Sequence, residues 1–201
     1  MENKLRGYDD RDEFIYNDNM KEIKEIIDGK IYYMAGGTFL HEDVITNIGI
    51  EFNIYFRNKN KKCKAYTEGL KVFLDTKRGE DYVLPDIAII CDGSKIAKDG
   101  YRGNPELIVE VMSDSTRKVD RMAKLNLYER SGVKEYWIVE PELKSIEQYI
   151  LADGRYVLRE VLVLLNENKF NDLNDEQKSS YTAIIKPTMF DELEIDLNEI
   201  F

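Results

Sequence analysis

The sequence predicts an α/β (α+β) domain in which helices flank a mixed β-sheet. Apolar runs that suit strands are interleaved with longer stretches of helical periodicity, which is the pattern of a sheet covered by helices. Residues 107–112 are apolar at almost every position, as in a strand buried on both faces, and residues 82–90 have the same character. Each run contains one acid, Glu110 or Asp86, and these two acids make the chain informative about function.

Length and composition fit a single domain with its own hydrophobic core. For the 201 residues we expect a loose N-terminal arm over residues 1–22 and one domain over residues 23–201. No stretch approaches the ~20 apolar residues of a membrane span, and the N-terminus lacks the apolar core of a signal peptide, so we expect a cytoplasmic protein with no membrane partner. Cys63 and Cys91 lie in no CxxC motif, and we interpret them as buried thiols rather than as a disulfide or a zinc site.

The charge balance is acidic, with a formal net charge of −10. This argues against a simple nucleic-acid-binding surface, because phosphate contacts usually require a basic balance. The objection is weak, since an active site made of metal-binding carboxylates is itself acidic. Residues 57–64 form the densest basic run, which is either a solvated turn after a helix or a patch that contacts phosphate.

The first elements of the domain are a hairpin and a long helix. Residues 25–34 place two β-prone segments around Asp28-Gly29, a strong hairpin pattern. Thr38 suits the N-cap of a helix that runs to about residue 59, with His41 in its first turn. For that histidine a capping or surface role competes with a catalytic one. The apolar residues of the helix recur at three- and four-residue spacing: Phe39, Leu40, Val44, Ile45, Ile48, Phe52 and Tyr55.

The later elements follow from turn residues and apolar patterning. Gly132 ends a helix predicted over residues 117–131, and a right-handed crossover through it would put the Glu110 strand and the next strand in one sheet. Asp153-Gly154 predicts a second hairpin. The predicted strands are at residues 65–74, 82–90, 107–112, 135–139, 145–150 and 155–164, with polar loops at 75–81 and 166–180 and one or two short strands within 181–201.

The two acids in buried strands have a chemical interpretation. If their strands are neighbours and the side chains project from the same face, both carboxylates reach one divalent cation. Ligand sets made only of oxygen suit Mg²⁺ or Mn²⁺. Lys124 lies in the helix that follows the Glu110 strand, and its ammonium would stabilise negative charge there. Asp, Glu, Lys and a divalent cation together are typical of metal-assisted phosphodiester hydrolysis.

Each of these residues also has a purely structural interpretation. Asp86 could cap a turn after Pro85, and Glu110 could pair with a basic residue in a buried structural ion pair. Lys124 could pair with Asp120 one turn earlier on the helix surface, an interaction that contributes only ~0.2–0.5 kcal/mol.

Several segments resemble the PD-(D/E)xK nuclease superfamily and, within it, the Uma-two family of restriction-endonuclease-like proteins. The residues that carry the resemblance are Pro85-Asp86, Glu110 and Lys124, in strand, strand and following helix. The resembling segments are residues 25–29, 84–89, 105–113, 120–128 and 132–141, and the match spans about residues 25–201.

The resemblance implies a restriction-endonuclease-like mixed β-sheet core with additional β-hairpins, and it implies roles for particular residues. Asp86, Glu110 and the carbonyl of Val111 would be metal ligands. The superfamily's usual lysine position holds Met112 here, and in the Uma-two family a lysine from the next helix, here Lys124, takes its place.

Three more residues are implied as supporting ones. Glu25 resembles the additional N-terminal acid of such folds, and His41 aligns with a histidine common in the family. We interpret Asp120 as a supporting residue rather than a ligand. The family usually has Glu where this chain has Lys30, so the second acid of the first hairpin is absent.

The leading functional hypothesis is therefore a Mg²⁺-dependent (or Mn²⁺-dependent) endonuclease that acts on DNA as a homodimer, since cutting two strands requires two sites. The alternative is a catalytically inactive protein of the same fold that binds nucleic acid or a protein partner. The acidic balance and the missing lysine at Met112 favour this alternative. A third option is hydrolysis of a small phosphorylated molecule.

Overall fold

The fold was determined as a computed structural model that describes residues 23–34, 36–74, 81–113 and 119–201. Its centre is a six-stranded mixed sheet with the strand order β11-β10-β9-β8-β5-β3. Strands β8 and β9 are parallel, and the other neighbours in this sheet are antiparallel. The strands of the sheet are β3 (Lys64–Thr67), β5 (Ile87–Ile90), β8 (Leu107–Val111), β9 (Glu135–Glu140), β10 (Ser145–Ala152) and β11 (Arg155–Val163).

Smaller strand groups and helices surround this sheet. The helices are α1 (Phe39–Asn58), α2 (Leu125–Ser131), α3 (Glu167–Asn171), α4 (Asp175–Ser180) and α5 (Leu197–Ile200), with a 3-10 turn at Gly93–Lys95 and a π-helical segment at Val119–Lys124 before α2. The remaining strands are β1 (Lys24–Ile27), β2 (Lys30–Tyr33), β4 (Val72–Phe73), β6 (Ile96–Ala97), β7 (Gly100–Arg102), β12 (Ile184–Ile185) and β13 (Ile195–Asp196). The expected arm at residues 1–22 and the expected turn at 75–80 lie outside the described residues, as does the predicted start of the helix at residue 117.

The central sheet is buried on both faces, which explains the continuous apolar run of β8. Val109 contacts the core under α1, whereas Ile108 contacts the core under α2. Trp137 of β9 packs on Phe52 of α1 with ring centroids 5.7 Å apart, and both side chains have no exposed surface. Burying each such side chain contributes about 1.5–3 kcal/mol, so the two cores fix the sheet between the helices.

The first hairpin is confirmed and docks beside the start of β5. Asp28 and Gly29 both adopt positive φ, as a type I′ turn requires, and the Asp81 carboxylate accepts hydrogen bonds from both backbone amides. Ile26 exchanges backbone hydrogen bonds with Tyr82. The hairpin therefore brings β1 next to residues 82–86, which lead into β5.

The long helix is confirmed with Thr38 as its N-cap, and the second hairpin is confirmed at β10–β11. Two residues of the predicted apolar stripe are exposed, Phe39 and Leu40, because they precede the turn at which α1 meets the sheet. The basic run that follows the helix is largely exposed, as a solvated turn would be.

Three predicted boundaries are wrong. The strand predicted over residues 65–74 is broken at Glu68 and Gly69, which both have positive φ. The strand predicted over 82–90 begins only at Ile87, because Leu84 donates its amide to a side chain instead of a strand. The predicted loop at 166–180 contains two short helices, whose N-caps are the side chains of Asn166 and Asn174. The polar composition of this segment had indicated a loop.

The two cysteines form a disulfide, which corrects their interpretation as thiols. Lys64 pairs with Ile90 across β3 and β5, so Cys63 and Cys91 occupy the next opposed positions beyond the strands. The antiparallel register of β3 and β5 brings together two cysteines that are 28 positions apart in the sequence. A contact of this kind has no local sequence motif, so it could not be predicted.

Candidate active site

A cavity of about 360 Å³ lies at the end of the sheet where β5 begins and β8 ends. It is bounded by the start of α1, the turn after β3 and the segment before α2. Most of its polar lining is ionisable: His41, Glu42, Glu68, Asp86, Glu110 and Lys124. The cavity is therefore lined by four of the seven site residues named from the sequence, together with two acids that were not named.

Asp86 and Glu110 lie on neighbouring strands, as expected. Ile87 pairs with Val109 across β5 and β8, so Asp86 comes opposite Glu110 in the same register. Opposed residues of an antiparallel pair have Cβ atoms only ~4.5–5.5 Å apart. Asp86 Oδ2 also accepts a hydrogen bond of 2.7 Å from the Val111 amide, which fixes its carboxylate beside Glu110.

Glu110 is held by two donors in the core. Its Oε1 accepts a hydrogen bond of 2.6 Å from the Tyr128 hydroxyl, and its Oε2 lies 3.0 Å from Lys124 Nζ. Burial, followed by the nearby Glu110 carboxylate, raises the pKa of Tyr128 well above its ordinary value, so the phenol remains a neutral donor. Tyr128 was not identified from the sequence, because a tyrosine at helical spacing is usually a core residue.

Lys124 connects Glu110 to the first hairpin. Its Nζ lies 3.1 Å from Glu25 Oε1, and that oxygen also accepts a hydrogen bond of 2.7 Å from the Leu84 amide. Only 1% of the Lys124 surface is exposed and none of Glu25. The ammonium is thus buried between two carboxylates. A buried charge needs such partners, because an unpaired charge in the core costs several kcal/mol. Asp120 lies in the helical segment with Lys124, but its side chain lies outside the described part of the structure.

His41 is buried on the opposite side of Asp86, in the first turn of α1. Its Nε2 lies 3.5 Å from Asp86 Oδ2, and the imidazole also hydrogen-bonds the backbone of Val111. Burial lowers the pKa of His41, but the hydrogen bond and charge of Asp86, with Glu42 and Val111, outweigh it and raise the pKa above its ordinary value. The alternative of a surface role is therefore wrong for this histidine.

Glu42 and Glu68 add negative charge to the same cavity. Glu68 follows β3 in a turn of positive φ, and its amide donates a hydrogen bond of 3.0 Å to the Asp86 carbonyl. Burial, then the Glu42 carboxylate and more weakly that of Asp86, raises the pKa of Glu68. Sequence reasoning missed both acids, because an acid in a first helical turn and an acid beside glycine normally lie in solvent.

The donor set around Asp86 and Glu110 fits the oxygen-only ligation expected of Mg²⁺ or Mn²⁺. The two carboxylates are opposed, and the Val111 backbone is tied to one of them. The Glu110 carboxylate lines the cavity but also contacts the protein, since Tyr128 hydrogen-bonds one of its oxygens and Lys124 forms an ion pair with the other. The set suits a cation that keeps several waters and takes few protein ligands.

The sequence matches the model of the Uma2 family, described as "Putative restriction endonuclease", over residues 9–177. The chain belongs to this family. Two curated relatives come from Synechocystis sp. The uncharacterized protein slr1290 is 27% identical over 135 residues, which cover 67% of this chain and 69% of that protein. The uncharacterized protein sll1609 is 23% identical over 145 residues, with 70% and 80% covered.

A solved structure has the same fold. The crystal structure of a "putative nuclease belonging to DUF820" from Anabaena variabilis superposes with a TM-score of 0.61 at 19% identity, over 89% of each chain. The mixed sheet with flanking helices is therefore the fold of a nuclease-like family, as the sequence predicted. None of the helices in the described ranges combines the length and apolar character that a membrane span needs.

Proposed function

We propose that the protein is a metal-dependent endonuclease that hydrolyses phosphodiester bonds in DNA. The observation that carries the proposal is the position of Lys124, buried against Glu110 in the cavity that also contains Asp86. Membership of the Uma2 family supports the same class of reaction. A cation, a pair of acids and open space for a phosphate are the elements that such hydrolysis needs.

In this proposal Asp86, Glu110 and the Val111 carbonyl hold Mg²⁺ or Mn²⁺. The bound cation supplies Lewis-acid chemistry, lowering the pKa of water and offsetting charge on the phosphate. The protein keeps the two acids in place beforehand: the Val111 amide orients Asp86, and the Tyr128 hydroxyl orients Glu110. Rigid ligands lose little freedom when the cation and substrate bind.

Lys124 supplies the positive charge that the missing lysine at Met112 would otherwise provide. Its ammonium reaches Glu110 from the helix behind β8, and Glu25 fixes its position from the first hairpin. Placed at the cavity wall, it stabilises the negative charge that develops on the phosphoryl oxygens. Asp120 and His41 take supporting roles, and a homodimer would provide one site for each DNA strand.

The rival is a protein of this fold that binds nucleic acid or another protein without cleaving it. One observation favours it, namely that both oxygens of Glu110 already have protein partners, as in a structural ion pair. Calorimetric titration with Mg²⁺ separates the two. If the protein is a nuclease, the wild-type chain binds the cation and Asp86→Asn lowers the affinity by at least about tenfold. A pure binding module has no such cation site.

The direct test is cleavage of supercoiled plasmid in Mg²⁺ and in Mn²⁺. We expect Asp86→Asn, Glu110→Gln and Lys124→Met to lose activity by about 100-fold or more. Glu194→Gln, which changes an exposed acid that forms an ion pair with Lys186, serves as the matched control and keeps full activity. Thermal unfolding establishes that each variant is folded. Equal residual cleavage in all preparations would identify a contaminant and reject the proposal, and cleavage of RNA or nucleotides alone would reject DNA as substrate.

A further inference from the structure

A second group of ligating side chains lies in the cavity beside Asp86 and Glu110. One ligand atom from each of His41, Glu42 and Glu68 lies within 4.8 Å of the other two. We propose that this group, the His41 triad, binds a second divalent cation through one nitrogen and two carboxylate oxygens. The inference does not rest on nuclease activity, because it follows from the geometry of these three side chains and their surroundings.

The orientation of His41 is the first support. The residue is 9% exposed, and its Nδ1 is buried without a hydrogen-bond partner among the described residues. That atom faces Glu42, with Oε1 at 3.8 Å. A buried polar atom without a hydrogen-bond partner destabilises the folded protein, so this orientation needs a compensating partner. A cation held between Nδ1 and the two carboxylates is such a partner.

The other ring nitrogen supports the same assignment. Nε2 faces the Asp86 carboxylate at 3.5 Å. A histidine that binds a metal almost always donates its second ring N–H to a carboxylate or a backbone carbonyl, which fixes the tautomer and the ring orientation. His41 has this arrangement, and its remaining nitrogen points at Glu42.

Space for the ion is kept open by Gly37. A Cβ atom built on Gly37 would lie 2.5 Å from His41 Nδ1 and 2.5 Å from Glu42 Oε1. Any larger residue would push these two atoms from their places. At Gly36, the preceding position, a Cβ atom meets nothing within 4 Å. The adjacent glycines thus offer a blocking variant and a matched control in which no ligand is changed.

The ligand types select the ion. Metal–ligand distances of about 2.0–2.2 Å imply ligand separations of up to roughly 4.4 Å, close to those of the His41 triad. Imidazole nitrogen favours transition metals, whereas Mg²⁺ and Ca²⁺ prefer oxygen alone. The His41 triad therefore takes Mn²⁺ or Zn²⁺ in preference to Mg²⁺, and the Asp86–Glu110 position takes either Mg²⁺ or Mn²⁺.

The test uses Mn²⁺ as the probe, with electron paramagnetic resonance and calorimetry. His41 is the only histidine of the sequence, so hyperfine coupling from an imidazole nitrogen identifies this site independently of activity. We expect the coupling in the wild-type protein, in Gly36→Ala and in Glu110→Gln, and we expect it to survive excess Mg²⁺. In Gly37→Ala it should disappear, and in Glu68→Gln the affinity should fall at least about tenfold.

The outcomes separate the two sites. Absence of nitrogen coupling in the wild-type protein, or its persistence in Gly37→Ala with unchanged affinity, would overturn the proposal. If the protein binds one Mn²⁺ with nitrogen coupling, and Glu110→Gln does not change this coupling, the result supports the His41 triad. This conclusion holds even if the protein does not cleave plasmid and the nuclease proposal is rejected. The same coupling lost equally in Gly36→Ala and Gly37→Ala would indicate damage to the loop and would also reject the site.

Discussion

Lys124 and Glu110 form a buried ion pair, with Nζ 3.0 Å from Oε2 and only 1% of either side chain exposed. The pair joins the helical segment before α2 to the C-terminal end of β8. A buried ion pair adds little net stability over an apolar pair, but removing one partner leaves the other as an uncompensated buried charge. The residue proposed to support catalysis is therefore also a structural residue.

We expect Lys124→Met to destabilise the protein by about 3–5 kcal/mol, because Glu25 and Glu110 would then repel each other in the core. Urea unfolding in the presence of a chelator measures this loss. The double variant Lys124→Met/Glu25→Gln, which carries one buried negative charge fewer, should recover part of the stability. If the single and double variants unfold at the same urea concentration, the pairing of Lys124 with Glu25 has no energetic role.

We expect Glu25→Gln to lower activity more than stability. The glutamine carbonyl still accepts from the Leu84 amide, but it attracts Lys124 less strongly, so the ammonium loses its fixed position. The prediction is a fall in plasmid cleavage of about tenfold with a loss of ~1–2 kcal/mol in the free energy of unfolding. Lys30→Gln, an exposed change on the same hairpin, is the control and should alter neither. A Glu25→Gln variant with wild-type cleavage would show that the hairpin does not position Lys124.

The sequence predicted the sheet and the residues of the cavity that stand out as charges in apolar runs. Asp86 and Glu110 are such charges, and the register of β5 and β8 brings them together. Tyr128 and Glu68 could not be predicted, because their positions depend on how α2 and the turn after β3 meet the sheet. An acid in a buried strand is also no proof of a site, as Glu135 shows.

Glu135 is completely buried in β9, outside the cavity, and its carboxylate accepts hydrogen bonds from β9, from β10 and from the turn between β12 and β13. Its Oε1 accepts from Trp137 Nε1 at 2.7 Å and Gln148 Nε2 at 2.6 Å, and its Oε2 accepts from the Thr188 amide at 2.8 Å. We expect Glu135→Ala to cost about 3–5 kcal/mol, since several buried donors lose their acceptor.

The expected separation of roles makes Glu135 informative. Urea unfolding should show the loss, while Mn²⁺ affinity measured by calorimetry on the folded variant should match that of the wild-type protein. If Glu135→Ala lost Mn²⁺ binding but kept the stability of the wild-type protein, Glu135 would affect the cation site and its role would not be structural.

The disulfide illustrates the same limit of sequence reasoning, because Cys63 and Cys91 become neighbours only through the pairing of β3 with β5. It closes a loop with a sequence separation of 28, for which loop entropy gives a stabilisation of about 3–4 kcal/mol. We expect reductant to lower the thermal midpoint of the wild-type protein and to leave Cys63→Ser/Cys91→Ser unaffected. Because Cys91 lies at the opposite end of β5 from Asp86, Mn²⁺ affinity should be the same in both redox states. A midpoint that does not respond to reductant, or an equal response in the double variant, would show that the bridge does not stabilise the fold.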